Sequence, residues 1–249
     1  MKLVDVHAHL ESEKFKGDLD SVIERFKEAG GEFIINSGTD PERNRETLGL
    51  SEKYDCVRAS FGMYPVGDYD DVDGELAWIE EHADVCVAIG EIGLDFDNAE
   101  RKANADEQKR LFRKMLGLAK ELGKAVVVHS RAAELEAIEI LEEMEMKNVV
   151  MHCFCGAKVL VKRCVDNGWS FSVPPVIKRW DNFKMLVEIV PIEQLLTETD
   201  APYLGATAKE RNEPANVAVT IKEIARIKGL SEDEVSEQIF INAKELFSL

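Results

Sequence analysis

The sequence predicts a single (β/α)8 barrel of the TIM type. Eight short apolar runs have the character of strands, and longer stretches of helical period lie between them. The chain has 249 residues, which is close to the usual length of this fold. An open doubly wound sheet is the alternative, but no Gly-x-Gly-x-x-Gly pattern follows the first strand. We therefore expect one barrel domain over residues 1–249.

The boundaries of the elements follow from the apolar pattern and from its end signals. Asp40 followed by Pro41 is typical of a helix start, because aspartate caps the first turn and proline suits the first helical position. Gly123 ends another helix, and Ser231 with Glu234 forms a capping box for the last one. The eight predicted strands are Leu3–His7, Phe33–Asn36, Val57–Phe61, Val85–Ile89, Ala125–His129, Val149–His152, Ser170–Val173 and Gln194–Thr197.

The composition is that of a globular protein with a full core, since 45% of the residues are apolar and 32% are charged. We see no signal peptide and no membrane span. The five cysteines are an odd number without a Cys-x-x-Cys pair, so we expect reduced thiols and a cytoplasmic location. The net charge of −17 argues against a surface that coats itself with nucleic acid, but it permits a nucleic-acid substrate at one local site. No obligate protein partner is predicted.

Two histidines stand at the end of the first strand, in the stretch VDVHAHLE at residues 4–11. Alternation along a strand places Asp5, His7 and His9 on one face and the apolar residues between them on the other. Two imidazoles on one face at the carboxyl end of a barrel strand can bind one metal ion. The alternative is a polar turn whose histidines bond to the backbone.

The other strand ends carry the same kinds of residue. Glu91 follows the fourth strand, His129 and His152 end the fifth and sixth, and Asp200 follows the eighth. A barrel places its active site at this edge. The fifth histidine, His82, lies on a helix-like segment, where a solvent-exposed or capping role is expected.

This set predicts a centre of two divalent metal ions, bridged by Glu91 because that residue lies midway around the ring between the histidines. The expected ligands are His7, His9 and Asp200 for one ion, and His129 and His152 for the other. Histidine-rich ligation favours Zn²⁺, Mn²⁺ or Fe²⁺ over Mg²⁺, and the identity of the ions, Mg²⁺ included, stays open. A hydroxide between the ions is the expected nucleophile, with Asp200 as the general base. The filled site would carry a charge of about +2, which favours an anionic substrate such as a phosphate.

Seven stretches spread over the chain match a known family in its own order. They are VDVHAHL at 4–10, AIGEIGLDF at 88–96, VVVHSRAAELEAIEIL at 126–141, MHCFCG at 151–156, LLTETDAPYL at 195–204, RNEPANV at 211–217 and NAKELF at 242–247. Through them the chain resembles the TatD-type metal-dependent deoxyribonucleases, a branch of the amidohydrolase barrels. The resemblance implies a two-metal phosphodiesterase, a DNase or 3′-to-5′ exonuclease acting on DNA or RNA ends. It implies the same six ligands.

Two stretches depart from the family pattern. The family usually has Gly-x-His-Pro after the third strand, with a histidine that helps to bind the substrate phosphate, and this chain has Tyr64 in that place. Tyr64 can donate a hydrogen bond but carries no charge near neutral pH. The other departure is SFSVPP at 170–175, where Pro174 and Pro175 should stiffen the loop and reshape the pocket.

Three further positions bear on substrate binding or ligand orientation. Arg131 lies two positions after His129 and suits phosphate binding, although a salt bridge to Glu134 is its alternative role. Arg211, with Asn212 beside it, could bind substrate or cap the next helix. Asp95 and Asp5 are expected to orient ligands rather than to bind metal.

Two short clusters are weaker candidates for functional residues. Cys153 and Cys155 follow a ligand histidine, but one of them must point away along the strand, so we expect thiols of the core. Lys178, Arg179 and Trp180 combine two positive charges with a stacking surface and could bind single-stranded nucleic acid, although such a cluster is usually a solvated loop.

The prediction is therefore a metal-dependent nuclease in which Asp200 takes the proton and Arg131, Tyr64 and Arg211 are the candidate substrate-binding residues. The main alternative is the same metal centre acting on a small ester, amide or phosphoester, because barrels change substrate through their loops. A binding protein with a decayed site is the remaining alternative, and the presence of all six ligands argues against it.

Overall fold

Eight parallel strands form one sheet in the computed structural model, which describes residues 1–249. Each strand pairs with its neighbours in chain order, from the first to the eighth. The strands are β1 (Leu3–Ala8), β2 (Gly31–Ser37), β3 (Val57–Phe61), β4 (Cys86–Asp95), β5 (Ala125–Arg131), β6 (Val149–Met151), β7 (Ser170–Val173) and β8 (Leu195–Thr197).

The ring closes where the segment after β8 meets β1. The backbone N–H of Asp200 donates to the carbonyl of His7 at 2.9 Å, and the N–H of His9 donates to that of Ala201 at 2.8 Å. The hydroxyl of Thr197 also donates to the carbonyl of Val4 at 2.5 Å. This closure confirms the predicted (β/α)8 barrel and excludes the open doubly wound sheet.

Helices connect the strands, as expected for this fold. The predicted end signals are confirmed: the Asp40 side chain accepts from the N–H of Arg43, Gly123 has a φ of 64°, and Ser231 forms a capping box. The helices are α1 (Leu19–Glu28), α2 (Pro41–Lys53), α3 (Val72–Glu81), α4 (Ala99–Ala103), α5 (Ala105–Leu122), α6 (Glu134–Glu143), α7 (Lys158–Asp166), α8 (Asp181–Ile189), α9 (Val217–Lys228) and α10 (Glu232–Phe247). Short 3-10 turns span Glu13–Phe15, Pro175–Lys178, Ile192–Gln194 and Pro214–Asn216.

The apolar core has two layers. The smaller layer joins side chains from six strands, among them Val6, Ile35 and Val127, with Phe247 of the last helix. Because these strands lie on different sides of the ring, this layer is the interior of the barrel. The larger layer lies between the strands and the surrounding helices. Burial of both layers leaves the carboxyl ends of the strands as the place where polar side chains collect.

The strand bounds differ from the predicted ones near the site. Strand β4 continues to Asp95 and β5 to Arg131, while β6 ends at Met151 and leaves His152 in the following turn. Strict alternation along β1 is wrong, because the pairing register shifts between Asp5 and Ala8. The polar residues at these strand ends are therefore held by irregular backbone as well as by regular strands. No helix is long and apolar enough to cross a membrane.

Candidate metal centre

The carboxylate of Glu91 lies between two pairs of histidines. Its Oε2 is 3.4 Å from Nε2 of His7 and 3.6 Å from Nε2 of His9. Its Oε1 is 2.9 Å from Nδ1 of His129 and 3.8 Å from Nε2 of His152. The side chain of Glu91 is buried, so each carboxylate oxygen faces its own histidine pair away from bulk water. The six predicted ligands are thus brought to one place, with Asp200 Oδ1 3.3 Å from Nε2 of His9.

The two histidines at the end of β1, His7 in the strand and His9 just after it, are oriented by a single residue at the end of β2. Nδ1 of His7 lies 3.1 Å from the hydroxyl of Ser37, and Nδ1 of His9 lies 3.0 Å from the Ser37 carbonyl. Both rings therefore turn the other nitrogen, Nε2, toward Glu91, and the two Nε2 atoms are 3.2 Å apart. Sequence reasoning missed Ser37, which nothing marks except its place at the end of a strand.

His129 is held from the opposite side by Asp95. Nε2 of His129 lies 3.3 Å from Oδ2 of Asp95, which leaves Nδ1 facing Glu91. The guanidinium of Arg101 donates to the same carboxylate oxygen at 2.7 Å, and the Tyr64 hydroxyl donates to it at 3.0 Å. Asp95 therefore has the orienting contact expected of it, and Tyr64 directs its hydroxyl toward that contact.

His152 is held by Glu198, a residue that sequence reasoning passed over. Oε2 of Glu198 lies 2.6 Å from Nδ1 of His152 and accepts a hydrogen bond from Ser172 at 2.5 Å. The other oxygen accepts from the backbone N–H of Cys153 at 3.1 Å. Glu198 is fully buried, and its place two residues before Asp200 was the available signal. Each of the four imidazoles thus has one nitrogen fixed by the protein and one facing Glu91.

Asp5 ties β1 to the segment that follows β8. Its carboxylate accepts from the N–H and the hydroxyl of Thr199, at 2.9 and 2.5 Å, and from the N–H of His7 at 3.2 Å. Burial raises the pKa of this carboxyl to about 8, against the effect of those donors. Asp5 was expected to orient an imidazole, but the structure has it on the backbone of His7 instead.

The charged groups of the centre shift one another's pKa values. Burial disfavours the protonated form of His152, but the charge and hydrogen bond of Glu198 outweigh it and raise the pKa to about 9. Burial also opposes protonation of His9, yet Asp200 and Glu11 raise its pKa. Conversely, the imidazoles keep the pKa of Glu91 well below its usual range, although burial acts in the other direction. Both carboxylates of the centre, Glu91 and Asp200, are therefore ionised near neutral pH.

A close approach of backbones sets the distance between β4 and β5. Gly93 has a φ of +144°, and a Cβ built there would lie 1.9 Å from the carbonyl oxygen of His129. A side chain at this position is excluded by both the conformation and the space. The second glycine of AIGEIGLDF, Gly93, therefore allows the backbone of His129 to lie close to β4.

The centre opens into a cleft of about 790 Å³ that Tyr64, Arg131, Lys14 and Arg43 help to line. Arg131 is 61% exposed and pairs with Asp97 at 3.2 Å rather than with Glu134. Its exposed side chain forms part of the cleft wall.

Several other predicted residues lie away from the cleft. Arg211 makes two hydrogen bonds to Asp18, at 2.7 and 2.6 Å, and lines a neighbouring groove. Pro174 and Pro175 are also absent from the lining of the cleft. The expectation of core thiols is wrong for Cys155, which is exposed because the chain leaves β6 before reaching it.

The remaining two predictions have simple outcomes. His82 caps the end of α3 and stacks on Trp78, as expected, and it does not line the cleft. Of the Lys178-Arg179-Trp180 cluster, Arg179 lines the neighbouring groove, whereas Lys178 and Trp180 do not.

Fold and candidate centre together are those of a metal-dependent hydrolase built on a (β/α)8 barrel. The model of the family described as TatD related DNase matches residues 4–248, and the chain belongs to this family. The resemblance seen in the sequence is thereby confirmed.

Relatives of known sequence or structure align with this chain over almost their full lengths. The chain is 36% identical to the uncharacterized metal-dependent hydrolase YabD of Bacillus subtilis, over 99% of both chains. It is 35% identical to the human protein named deoxyribonuclease TATDN3, over 98% of this chain and 94% of the relative. Among solved structures, the TatD homologue YJJV of Escherichia coli K12 superposes with a TM-score of 0.92 at 26% identity, covering 99% of this chain and 98% of that one.

Proposed function

We propose that this chain is a two-metal-dependent phosphodiesterase that hydrolyses DNA, with RNA as a second substrate to be tested. The observation that carries the proposal is the position of Glu91, whose two oxygens face two different histidine pairs. A carboxylate placed in this way could serve two divalent ions at once.

The donors fit such ions. Between Glu91 and three of the four histidines the distances are 3.4, 3.6 and 3.8 Å, longer than a normal hydrogen bond. Two overlapping groups, His7 with His9 and Glu91, and Glu91 with His129 and His152, each bring their ligand atoms within 4.8 Å of one another. Imidazole nitrogens and carboxylate oxygens together are ligands for Zn²⁺, Mn²⁺ or Fe²⁺, with Mg²⁺ less suited.

The ligands divide into two groups around Glu91. His7, His9 and Asp200 would hold one ion together with Glu91, and His129 and His152 would hold the other, also with Glu91. When bound, the ions supply an activated water and positive charge that stabilises the phosphoryl oxygens.

The chain's own residues then have separate tasks. Asp200 is ionised because His9 keeps the pKa of its carboxyl low against the effect of burial, so its Oδ atoms can accept a proton from the attacking water. Arg131 donates to the substrate phosphate from the wall of the cleft. Tyr64 lines the same cleft, but its hydroxyl is directed to Asp95, so its part is to position His129 rather than to bind phosphate.

The nucleic-acid substrate is supported by membership in a family described as DNases and by a human relative named deoxyribonuclease. We also propose that residues 1–249 act as one domain, since all eight strands belong to one sheet. A cytoplasmic location is supported by five cysteines that form no disulfide.

The test is cleavage of end-labelled single-stranded DNA by metal-stripped protein to which Mg²⁺, Mn²⁺ or Zn²⁺ is added in turn. We expect metal-dependent shortening that Asp200→Asn abolishes and that Asp84→Asn, a matched change at an exposed site away from the centre, preserves. No cleavage by protein shown to hold two ions would overturn the nuclease. A panel of small esters, amides and phosphoesters would then identify the alternative hydrolase.

A further inference from the structure

A second groove adjoins the metal cleft and continues it across the surface. It has a volume of about 470 Å³ and shares Lys14, Tyr203 and Leu204 with the cleft. Beyond these shared residues it is lined by the segment from Pro202 to Arg211 and by Arg179. A polymer with one phosphate at the metal centre can therefore extend into this groove without leaving the surface.

The groove is basic although the chain carries a net charge of −17. Lys14, Arg179 and Lys209 line it, and none of the three has a carboxylate partner within 4 Å. The single acidic residue in its lining is Glu210, which accepts a hydrogen bond from Thr207. Three unpaired cations at one place on an acidic protein indicate an anionic ligand.

The groove is also held in a fixed shape by hydrogen bonds that leave these cations available. One guanidinium nitrogen of Arg179 donates to the carbonyl of Gly205 at 3.1 Å. Arg211, which is paired with Asp18, donates to the backbone carbonyl of Lys14 at 2.6 Å and leaves the lysine amine without a hydrogen bond. Arg211 thus stabilises the shape of the groove. The positive charges available to a ligand are those of Lys14, Arg179 and Lys209.

Tyr203 forms an aromatic platform at the junction of cleft and groove. Its side chain is 50% exposed, and the amine of Lys14 lies 4.5 Å from the centre of its ring. Its backbone N–H donates to the carbonyl of Asp200 at 2.8 Å, which fixes the platform next to a proposed metal ligand. An exposed ring beside a cation is the arrangement on which a nucleic-acid base stacks while its phosphate is neutralised.

We propose that this groove binds the single-stranded segment of nucleic acid that adjoins the scissile phosphate. One base would stack on Tyr203, and the phosphates beyond it would contact Lys14, Arg179 and Lys209. A single strand fits because its base faces are free to stack, whereas those of a duplex are covered. The proposal rests on the proposed nuclease function and specifies which part of the substrate the protein recognises outside the metal centre.

The kinetic test compares a dinucleotide with a single-stranded 12-mer as substrates of the metal-loaded enzyme. We expect the unaltered enzyme to have a lower KM for the 12-mer, and Arg179→Glu with Lys209→Glu to lose most of that advantage. Lys147→Glu with Lys222→Glu makes the same charge change at exposed positions outside both grooves, so it should keep the advantage. An undiminished preference for the 12-mer in the Arg179/Lys209 variant would overturn the proposal.

A binding test separates this groove from the catalytic reaction. The probe is a fluorescent 12-mer with phosphorothioate linkages throughout, which keeps its charge and resists hydrolysis. Tyr203→Ala should weaken binding on the order of tenfold while Tyr203→Phe stays close to the unaltered protein. The Arg179/Lys209 variant should reduce the slope of log K against log salt by about 1.4, since each lost phosphate contact contributes about 0.7.

The outcomes of the two tests are distinguishable. If no substrate is cleaved but the probe binds with the expected salt slope and tyrosine dependence, the nuclease fails and the groove stands. If cleavage occurs but neither Tyr203→Ala nor the charge reversal alters probe binding, the groove fails and the nuclease stands. Equal binding of a 12-base-pair duplex would contradict the assignment to a single strand.

Discussion

The carboxylate of Glu198 lies 2.6 Å from Nδ1 of His152, and no solvent reaches either carboxylate oxygen. Glu198 also accepts from Ser172 and from the N–H of Cys153, so the carboxylate cannot turn away from the imidazole. This contact fixes the ring of His152 with Nε2 toward Glu91. A carboxylate behind a ligand histidine strengthens metal binding without touching the metal.

Glu198→Gln should therefore weaken metal binding while leaving the fold in place. The amide keeps the size of the side chain but loses the charge, and loss of such a partner typically costs about 10- to 100-fold in metal affinity. Calorimetric titration with Mn²⁺ measures the effect, and Glu188→Gln on the exposed face of α8 is the matched control. Unchanged affinity in Glu198→Gln would show that the contact does not orient the ligand.

Tyr64→Phe separates the two roles considered for this residue. Because the hydroxyl donates to Asp95, its removal should lower kcat through a less rigid His129 and leave KM for DNA nearly unchanged. The lost hydrogen bond is worth about 1 kcal/mol, so the decrease should be severalfold. A rise in KM with constant kcat would instead show direct phosphate binding. Tyr54→Phe removes the partly buried hydrogen bond from the Tyr54 hydroxyl to Asp20, and it controls for a general loss of stability.

Metal binding should release protons at neutral pH. In the metal-free centre the neighbouring carboxylates raise the pKa values of His9 and His129, and they raise that of His152 to about 9, so His152 is protonated at pH 7 and protonation of the other two rings is favoured. Metal binds only the neutral ring. Affinity should accordingly increase as pH rises toward 9 and fall as pH drops. Titration calorimetry in buffers of different ionisation enthalpy counts the protons, and a count of zero at pH 7 would contradict the expected protonation.

Gly93→Ala should both destabilise the barrel and displace His129. The new methyl group would meet the carbonyl of His129, and a φ of +144° is unfavourable for alanine. Backbone strain of this kind costs about 1–3 kcal/mol, before any displacement of β5 is counted. Denaturant unfolding gives the loss of stability, and Gly117→Ala on α5, where a Cβ meets nothing, is the control. Equal stability of the two variants would exclude the proposed close approach.

Much of the fold and of the candidate centre could be predicted from the sequence, because its apolar runs show where the strands end. His7, His129 and Asp200 each follow an apolar run, and the barrel gathers such ends at one edge. The orienting residues could not be predicted in the same way. Ser37 and Glu198 orient histidine rings by contacting one particular ring nitrogen. Which nitrogen they reach depends on the directions of side chains on neighbouring strands. No pattern of residue types records those directions.

Surface arginines were the hardest to assign from the sequence. Arg211 lies in a stretch typical of the family, but the structure commits it to Asp18, which is distant in the sequence. Arg131 lines the cleft of the candidate centre, and its ion-pair partner is Asp97 rather than Glu134. Long flexible side chains choose partners by tertiary proximity, so sequence distance is a poor guide to them.

The most direct test of the shared carboxylate is a count of tightly bound metal ions in the unaltered protein and in Glu91→Gln. Metal-stripped samples would be titrated with Mn²⁺, and the bound metal would be measured by mass spectrometry after gel filtration, with Glu81→Gln on α3 as the control. We predict two ions per chain in the unaltered and control proteins, and at most one in Glu91→Gln, together with loss of DNA cleavage. A single ion in the unaltered protein, or two ions retained by Glu91→Gln, would contradict a centre bridged by Glu91.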